Sequence, residues 1–563
     1  MYLLPDGDLQ CGIRVLDRSS VSRASPSDVL LKSTGPSDDE RVSGSFTRGR
    51  RLSNVSLLAE VSSNVTMGRA NKLYFRQLLT ALAPLLGITV CGMSNGYSAI
   101  LLPQLKSSAE VNGSDFSPDN QFGSLSIEQE SWIAAAAVLP MAPGCWTGGF
   151  LAERLGRKTS TLLLFPVFFA GWLIIGLAGN ANTLVVGRLL VGYCTGILAP
   201  IVPIYVSETS DPVLRGILLG AISLTLSIGI LACHALGTWL HWRTTAHICS
   251  ALPLLCWLIG LFSRESPMWL LNRGELEPAR RSWIFFRGEH TLEEFSLMES
   301  SRRADISQRQ QTEKRSVLRS WRKTWSSRHF LKPLAICCLY FLTGQFSGTN
   351  AISFYCVEML ASVPGLTNAA YLITLLIDAI RLAVGVIVCA LMKSCRRRAM
   401  TFFSGFGVAG SMLALSAVLT FEIGGTWAPV LLLLVYTALL PVGLVPLPWL
   451  LCGELFARNF RELGSGVASG FGFLCFFVVI KTMPAMIELI QPQGTFAVYG
   501  FVALIGTGVL YFVLPETKNK TLQEIQVLLD GKPRDLARRN ADIPILSREK
   551  SKNSEKDETA PDK

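Results

Sequence analysis

Residues Glu208–Arg215 read ETSDPVLR, and residues Glu454–Arg461 read ELFARNFR. In both, an acid opens and an arginine closes at the same spacing, and each follows a long apolar run. Other motifs recur around them in the same order. The basic turn Glu153-Arg-Leu-Gly-Arg-Lys158 is matched by Lys393-Ser-Cys-Arg-Arg-Arg398, and Arg264-Glu-Ser-Pro267 by Pro515-Glu-Thr517. Polar punctuation repeated in this way, with apolar stretches between, marks a chain built from two related halves.

The apolar stretches say what those halves are made of. Of 563 residues, 50% are hydrophobic and 17% charged, and the hydrophobic ones are gathered into uninterrupted runs. A membrane-spanning helix needs roughly 20 mostly apolar residues, and twelve stretches meet that condition, six within 78–262 and six within 331–514. The expectation is an all-α membrane protein with twelve transmembrane helices in two pseudo-symmetric six-helix halves. Residues 1–77 read as a disordered cytoplasmic tail, 263–330 as a cytoplasmic linker with short helices, and 515–563 as a second cytoplasmic tail. Two spans are interrupted: the second carries Pro140 and Pro143, and the tenth carries Pro441, Pro446 and Pro448.

The formal charge of +11 does not point to nucleic acid, because Lys and Arg sit in the tails and alternate loops. That asymmetry orients membrane helices, and it places both termini in the cytoplasm with the lipid bilayer as the large partner. The first outer loop contains Asn112-Gly113-Ser114, a glycosylation acceptor. The first apolar run follows a long Ser/Arg-rich tail, so no cleavable signal peptide is expected. The fourteen cysteines show no metal-ligand spacing, so neither a metal nor another cofactor is expected. No phosphate loop or nucleophile elbow suggests an enzyme, and no obligate protein partner is evident.

Two halves of this kind place a substrate site at their interface near the midplane, and rocking of one against the other exposes it alternately to each side. At the basic end, acids of one loop can pair with arginines of the next, forming an ionic latch. Its candidates are Glu153, Arg154, Arg157, Glu208, Arg215, Arg397, Glu454 and Arg461. One stretch breaks the apolar pattern: Leu375–Gly385 reads LLIDAIRLAVG. Intramembrane ionisable groups commonly face a bundle interior or a pathway, and Asp378 and Arg381 are spaced i,i+3 on one helix face. They can form a self-contained pair that stiffens the helix. Alternatively, Arg381 can enter the cavity and either anchor an anionic group or donate hydrogen bonds to a sugar.

Together with Gly187-Arg188, Gln345-Phe-Ser-Gly-Thr-Asn350, Pro446-Leu-Pro-Trp449 and Pro515-Glu-Thr-Lys-Asn-Lys-Thr-Leu522, these motifs resemble the sugar porter branch of the major facilitator superfamily. Val478-Val-Ile-Lys-Thr482 and Trp449-Leu-Leu-Cys-Gly-Glu-Leu455 look most like the facilitated trehalose transporters within it. The resemblance implies passive sugar transport, with amides binding hydroxyls and an aromatic residue covering the ring. It assigns substrate contacts to Gln345, Asn350, Trp449 and, in the fifth span, Ser223. It also implies two departures: Gly344 and Gly472 stand where related porters carry amides, and Arg381 where they carry an asparagine. Lys393 replaces an aspartate, which predicts a differently balanced gate in the C-terminal half.

Proton-coupled sugar porters carry an acid in the first span, whereas Cys91-Gly-Met-Ser-Asn-Gly-Tyr97 has none. The leading expectation is therefore a facilitative carrier of trehalose or a hexose in the plasma membrane. The alternatives are a porter of an acidic or modified solute using Arg381, a proton-coupled sugar symporter, and a sugar sensor that binds without transport.

Overall fold

The computed structural model describes residues 46–110, 126–312, 325–361, 366–425, 427–457, 460–518, 520 and 522–529. The chain divides into two units, Met1–Gly68 and Arg69–Lys563. Asn112 lies outside the described residues. No strand occurs among those described.

The first helix, α1 (Phe46–Glu110), starts within the segment expected as a tail. Ser and Arg content marks a solvated backbone, but this stretch holds no proline to stop a helix that continues outward from the first apolar run. The N-terminal half continues with α2 (Ile127–Ala135), α3 (Met141–Leu155), α4 (Arg157–Gly176), α5 (Ala181–Thr209), α6 (Pro212–Trp239) and α7 (Trp242–Leu261). Three short helices follow in the linker: α8 (Pro267–Asn272), α9 (Leu276–Arg287) and α10 (Leu292–Thr312). The C-terminal half comprises α11 (Arg328–Phe346), α12 (Thr349–Ala361), α13 (Ala370–Ser394), α14 (Arg397–Phe421), α15 (Trp427–Leu439), α16 (Leu447–Glu454) and α17 (Arg461–Val513), and α18 (Leu522–Leu529) closes the described chain.

Among the described residues, ten helices are long and apolar enough to cross a membrane. The expected second span is not among them, because it is broken into α2 and α3 just before Met141, at the Pro140 anticipated from sequence. The α17 helix counts twice, since Gln491 adopts φ 61° and ψ 166° ahead of Pro492 and divides it. A residue preceding proline is driven out of the helical region by clash with the ring. So read, the helices are consistent with the twelve expected spans.

The surface of the bundle is apolar. Phe512 is 85% exposed, Leu489 80%, Phe262 77% and Trp239 71%, which suits hydrocarbon and interfacial contact and not water. Lipid tails give helices no hydrophobic reason to associate, so close packing of small residues does that work. Gly92 of α1 crosses Gly229 of α6 so closely that a Cβ on Gly92 would lie 3.0 Å from the Gly229 Cα. Gly144 of α3 and Gly196 of α5 repeat the arrangement at 3.1 Å.

Two buried clusters form the core of the bundle, and a third, around Trp269 and Trp283, packs the linker helices. Of the first two, one gathers around Phe165, Trp172 and Trp242 of the N-terminal half, the other around Tyr340, Met412 and Tyr436 of the C-terminal half. The halves meet along two seams, α6 against α13 and α2–α3 against α17. Those seams position the site.

Candidate functional site

The seventh span is interrupted between α11 and α12. Gly348 adopts φ 85°, and a Cβ there would lie 2.8 Å from the Tyr499 ring, so both backbone and space require glycine. The Gly344 carbonyl freed by the break accepts from the Ser347 and Thr349 hydroxyls, each at 2.8 Å. The two predicted amides flank the break and bond each other, Asn350 Nδ2 donating to Gln345 Oε1 at 2.7 Å. Both are half-buried.

From this pair a polar chain crosses to the other half. Ser353 lies one helical turn beyond Asn350 and accepts from Arg381 Nη1 at 2.6 Å. The same nitrogen is 3.7 Å from Asp378 Oδ1, so the expected i,i+3 pair is at ion-pair distance without a hydrogen bond. The shorter contact of Asp378 is with His234 of α6, whose Nδ1 bonds Oδ2. His234 Nε2 in turn bonds the Gly96 carbonyl of α1 at 3.0 Å. Asp378 and His234 are both buried, at 2% exposure. Sequence reasoning missed His234. The available signal was a histidine within the apolar run of the fifth span, as anomalous there as Asp378 in the eighth.

Trp449 on α16 is 41% exposed and is held by Phe341 at 5.0 Å, edge to face, and Phe473 at 5.5 Å. The two missing amides have physical replacements. A Cβ on Gly472 would meet the Phe341 ring at 2.6 Å, and one on Gly344 would meet the Leu444 carbonyl at 3.1 Å. At Gly472 the ring fills the space of the absent side chain, whereas at Gly344 the single carbonyl makes a tight contact. Ser223 is exposed on α6, and its carbonyl accepts from the Ser227 hydroxyl at 3.1 Å.

At the basic end, Arg157 grips Glu208 with two bonds of 3.0 Å, and Ser266 donates to the same carboxylate at 2.6 Å. In the other half, Arg397 Nη2 lies 4.0 Å from Glu454 Oε1, and Glu454 Oε2 is buried without a hydrogen-bond partner. The structure explains the repeated closing motifs. Glu265 accepts from the backbone amides of Arg157 and Lys158 at 2.8 and 3.0 Å, while Glu516 accepts from those of Arg397 and Arg398 at 3.1 and 3.3 Å. Each half thus folds a carboxylate back onto the N-terminus of its third helix, where free amides and the helix dipole favour negative charge. Among the described residues, Arg215 bonds the Ser210 carbonyl at 3.4 Å, and Arg461 has Nε and Nη2 buried without partners. Arg154 lies over the Phe150 ring at 5.1 Å, and the Glu153 carbonyl accepts from Trp269 at 2.8 Å.

At the end away from the basic loops the halves are joined directly. Lys106 of α1 bonds Glu358 of α12 and lies 2.9 Å from Glu130 of α2. Lys481 of α17 donates to the Ser131 hydroxyl at 2.7 Å and sits 4.3 Å from the centre of the Trp132 ring. The sequence reading had assigned Lys481 only to a family motif.

A family model described as "Sugar (and other) transporter" matches residues 80–529. The chain is 29% identical over 475 residues to the facilitated trehalose transporter Tret1 of Drosophila virilis, covering 83% of this chain and 50% of the relative. It is 29% identical over 469 residues to the Tret1-2 homolog of Drosophila simulans, covering 81% of this chain and 92% of that one. The chain thus spans about half the length of the first curated relatives it matches. The inward-open xylose transporter XylE from E. coli superposes with a TM-score of 0.64 at 20% identity, covering 80% of this chain and 98% of that structure, a likeness of fold. A further XylE structure, matching with a TM-score of 0.63 at 20% identity, is described as a major facilitator superfamily protein. On the breadth of the family match, the chain belongs to the sugar (and other) transporter family.

Proposed function

We propose that this protein is a facilitative sugar carrier that works by alternating access, taking trehalose or a hexose down its gradient. The observation that carries the facilitative reading is the surroundings of Arg188. This cation is fully buried in α5, and it is held by the Ile133 and Ser94 carbonyls at 3.3 and 3.4 Å, the Ser98 hydroxyl and the Tyr97 ring. All of these partners are neutral. With no carboxylate among them, the contact offers no acid to load and unload with each cycle, and the first span supplies none from Cys91 to Tyr97.

The sugar reading rests on the half-buried Gln345–Asn350 pair beside the helix break and on the exposed Trp449. A sugar leaving water needs hydrogen bonds replaced without added charge, which amides provide. Unwound or broken helices at membrane depth commonly line such sites. The trehalose transporters among the relatives favour a disaccharide substrate. The Lys/Arg asymmetry supports cytoplasmic termini, and we assign the protein to the plasma membrane. Labelled trehalose or glucose should show counterflow in proteoliposomes preloaded with the unlabelled sugar. Binding without counterflow would instead identify a sensor.

A further inference from the structure

The hydrogen-bond geometry around His234 fixes a proton count. The Gly96 carbonyl 3.0 Å from Nε2 can only accept, so Nε2 carries hydrogen. Nδ1 faces a carboxyl oxygen of Asp378, and two acceptors cannot bond without a hydrogen between them. One further proton therefore lies on that line. Whichever atom holds it, His234 and Asp378 together sum to zero charge.

Arg381 is consequently without a counter-ion in this pair. Its distance to Asp378 Oδ1 is 3.7 Å, and its hydrogen bond goes to the neutral Ser353 hydroxyl at 2.6 Å. Among the described residues, the other titratable groups near Arg381 and Asp378 are Cys356 of α12, Tyr436 of α15 and Cys233 of α6, and thiols and phenols are ordinarily neutral at neutral pH. Arg188 of α5 is close enough to act electrostatically on Cys233, and it adds a second positive charge to the neighbourhood. An unbalanced guanidinium is costly at this depth. Its hydrogen-bond partner Ser353 stands one helical turn from Asn350, on the polar strip assigned to the sugar.

We propose that Arg381 is a specificity-determining cation, and that the cavity prefers a sugar bearing a carboxylate, such as a uronic acid, over the neutral sugar of the same shape. The proposal rests on the sugar-carrier reading and deepens it. A guanidinium meets a carboxylate with paired donors, and in Arg381 only Nη1 carries the two contacts described above, leaving the opposite edge of the fork for a ligand.

The test is inhibition of labelled glucose exchange in proteoliposomes, read as the ratio of the half-inhibiting concentrations of unlabelled glucose and glucuronate. In the wild type glucuronate should act at a concentration about tenfold lower. Arg381→Gln should bring the two within about twofold. His234→Ala should do the same with Arg381 still present, because Asp378 is then free to ionise and neutralise it, whereas Asp378→Asn should retain the advantage. Equal potency in the wild type, or an advantage that survives Arg381→Gln, would overturn the proposal. If the wild type exchanges no glucose, the sugar-carrier reading fails separately. Thermal stabilisation of the purified protein by glucuronate then decides the cation's role: stabilisation dependent on Arg381 supports it, and its absence overturns it. The same stabilisation ratio serves for any variant that exchanges too slowly to measure.

Discussion

Lys106 of the first helix is ion-paired to Glu358 of the opposite half, and Glu130 flanks the same ammonium at 2.9 Å. The contact joins the halves at the end away from the basic loops, so a state open at that end must break it. Side-chain exposures of 38% and 36% keep the pair wet. Its net contribution is accordingly about 0.5–1 kcal/mol. Glu358→Gln should raise the population open at that end roughly two- to fivefold, in line with that energy. Distances between spin labels flanking positions 106 and 358 report it. An unchanged distance distribution would show that the pair does not hold the halves together.

The two acid–arginine pairs at the basic end differ in geometry, and their variants should differ accordingly. Arg157 meets Glu208 with two bonds of 3.0 Å, whereas Arg397 and Glu454 approach only to 4.0 Å. Removing one partner of a well-formed, largely buried pair leaves the other charge uncompensated. Glu208→Gln should lower exchange about tenfold, and Glu454→Gln less than about threefold, since a loosely paired acid has less to lose. Exchange rates normalised to protein in the vesicles give the comparison, and equal losses would contradict it.

Gly472 is a packing glycine. A methyl group added there meets the Phe341 ring at 2.6 Å, and the ring is itself wedged against Trp449. Overpacking of this kind typically costs about 1–3 kcal/mol. Gly472→Asn should therefore lower the midpoint of thermal unfolding, and Phe341→Ala in the same chain should recover most of the loss. A single variant as stable as the wild type would show that the ring yields freely.

The fold was legible because its determinants are local. Apolar run length gives the spans, prolines at 140 and 441–448 mark the broken second and tenth, and basic loops mark one end. The repeated Glu265 and Glu516 motifs were visible as repeats, but their capping role emerges only when the chain folds back more than a hundred residues to Arg157 and Arg397. The site was legible in part, for the same reason. Asp378 and Arg381 are neighbours in sequence and were paired from it. His234 reaches Asp378 across 144 positions, and no spacing rule links residues so far apart. Gly472 read as a missing amide, while its cause, Phe341, lies on another helix.

The central claim is movement of sugar without ion coupling, and its most direct measurement is uptake of labelled trehalose and glucose by proteoliposomes with and without an imposed inside-alkaline pH gradient. The account predicts saturable uptake that stops at equal concentrations on both sides, with the same end point under the gradient. Accumulation above the external concentration when the gradient is imposed, or uptake that requires it, would contradict the facilitative mechanism.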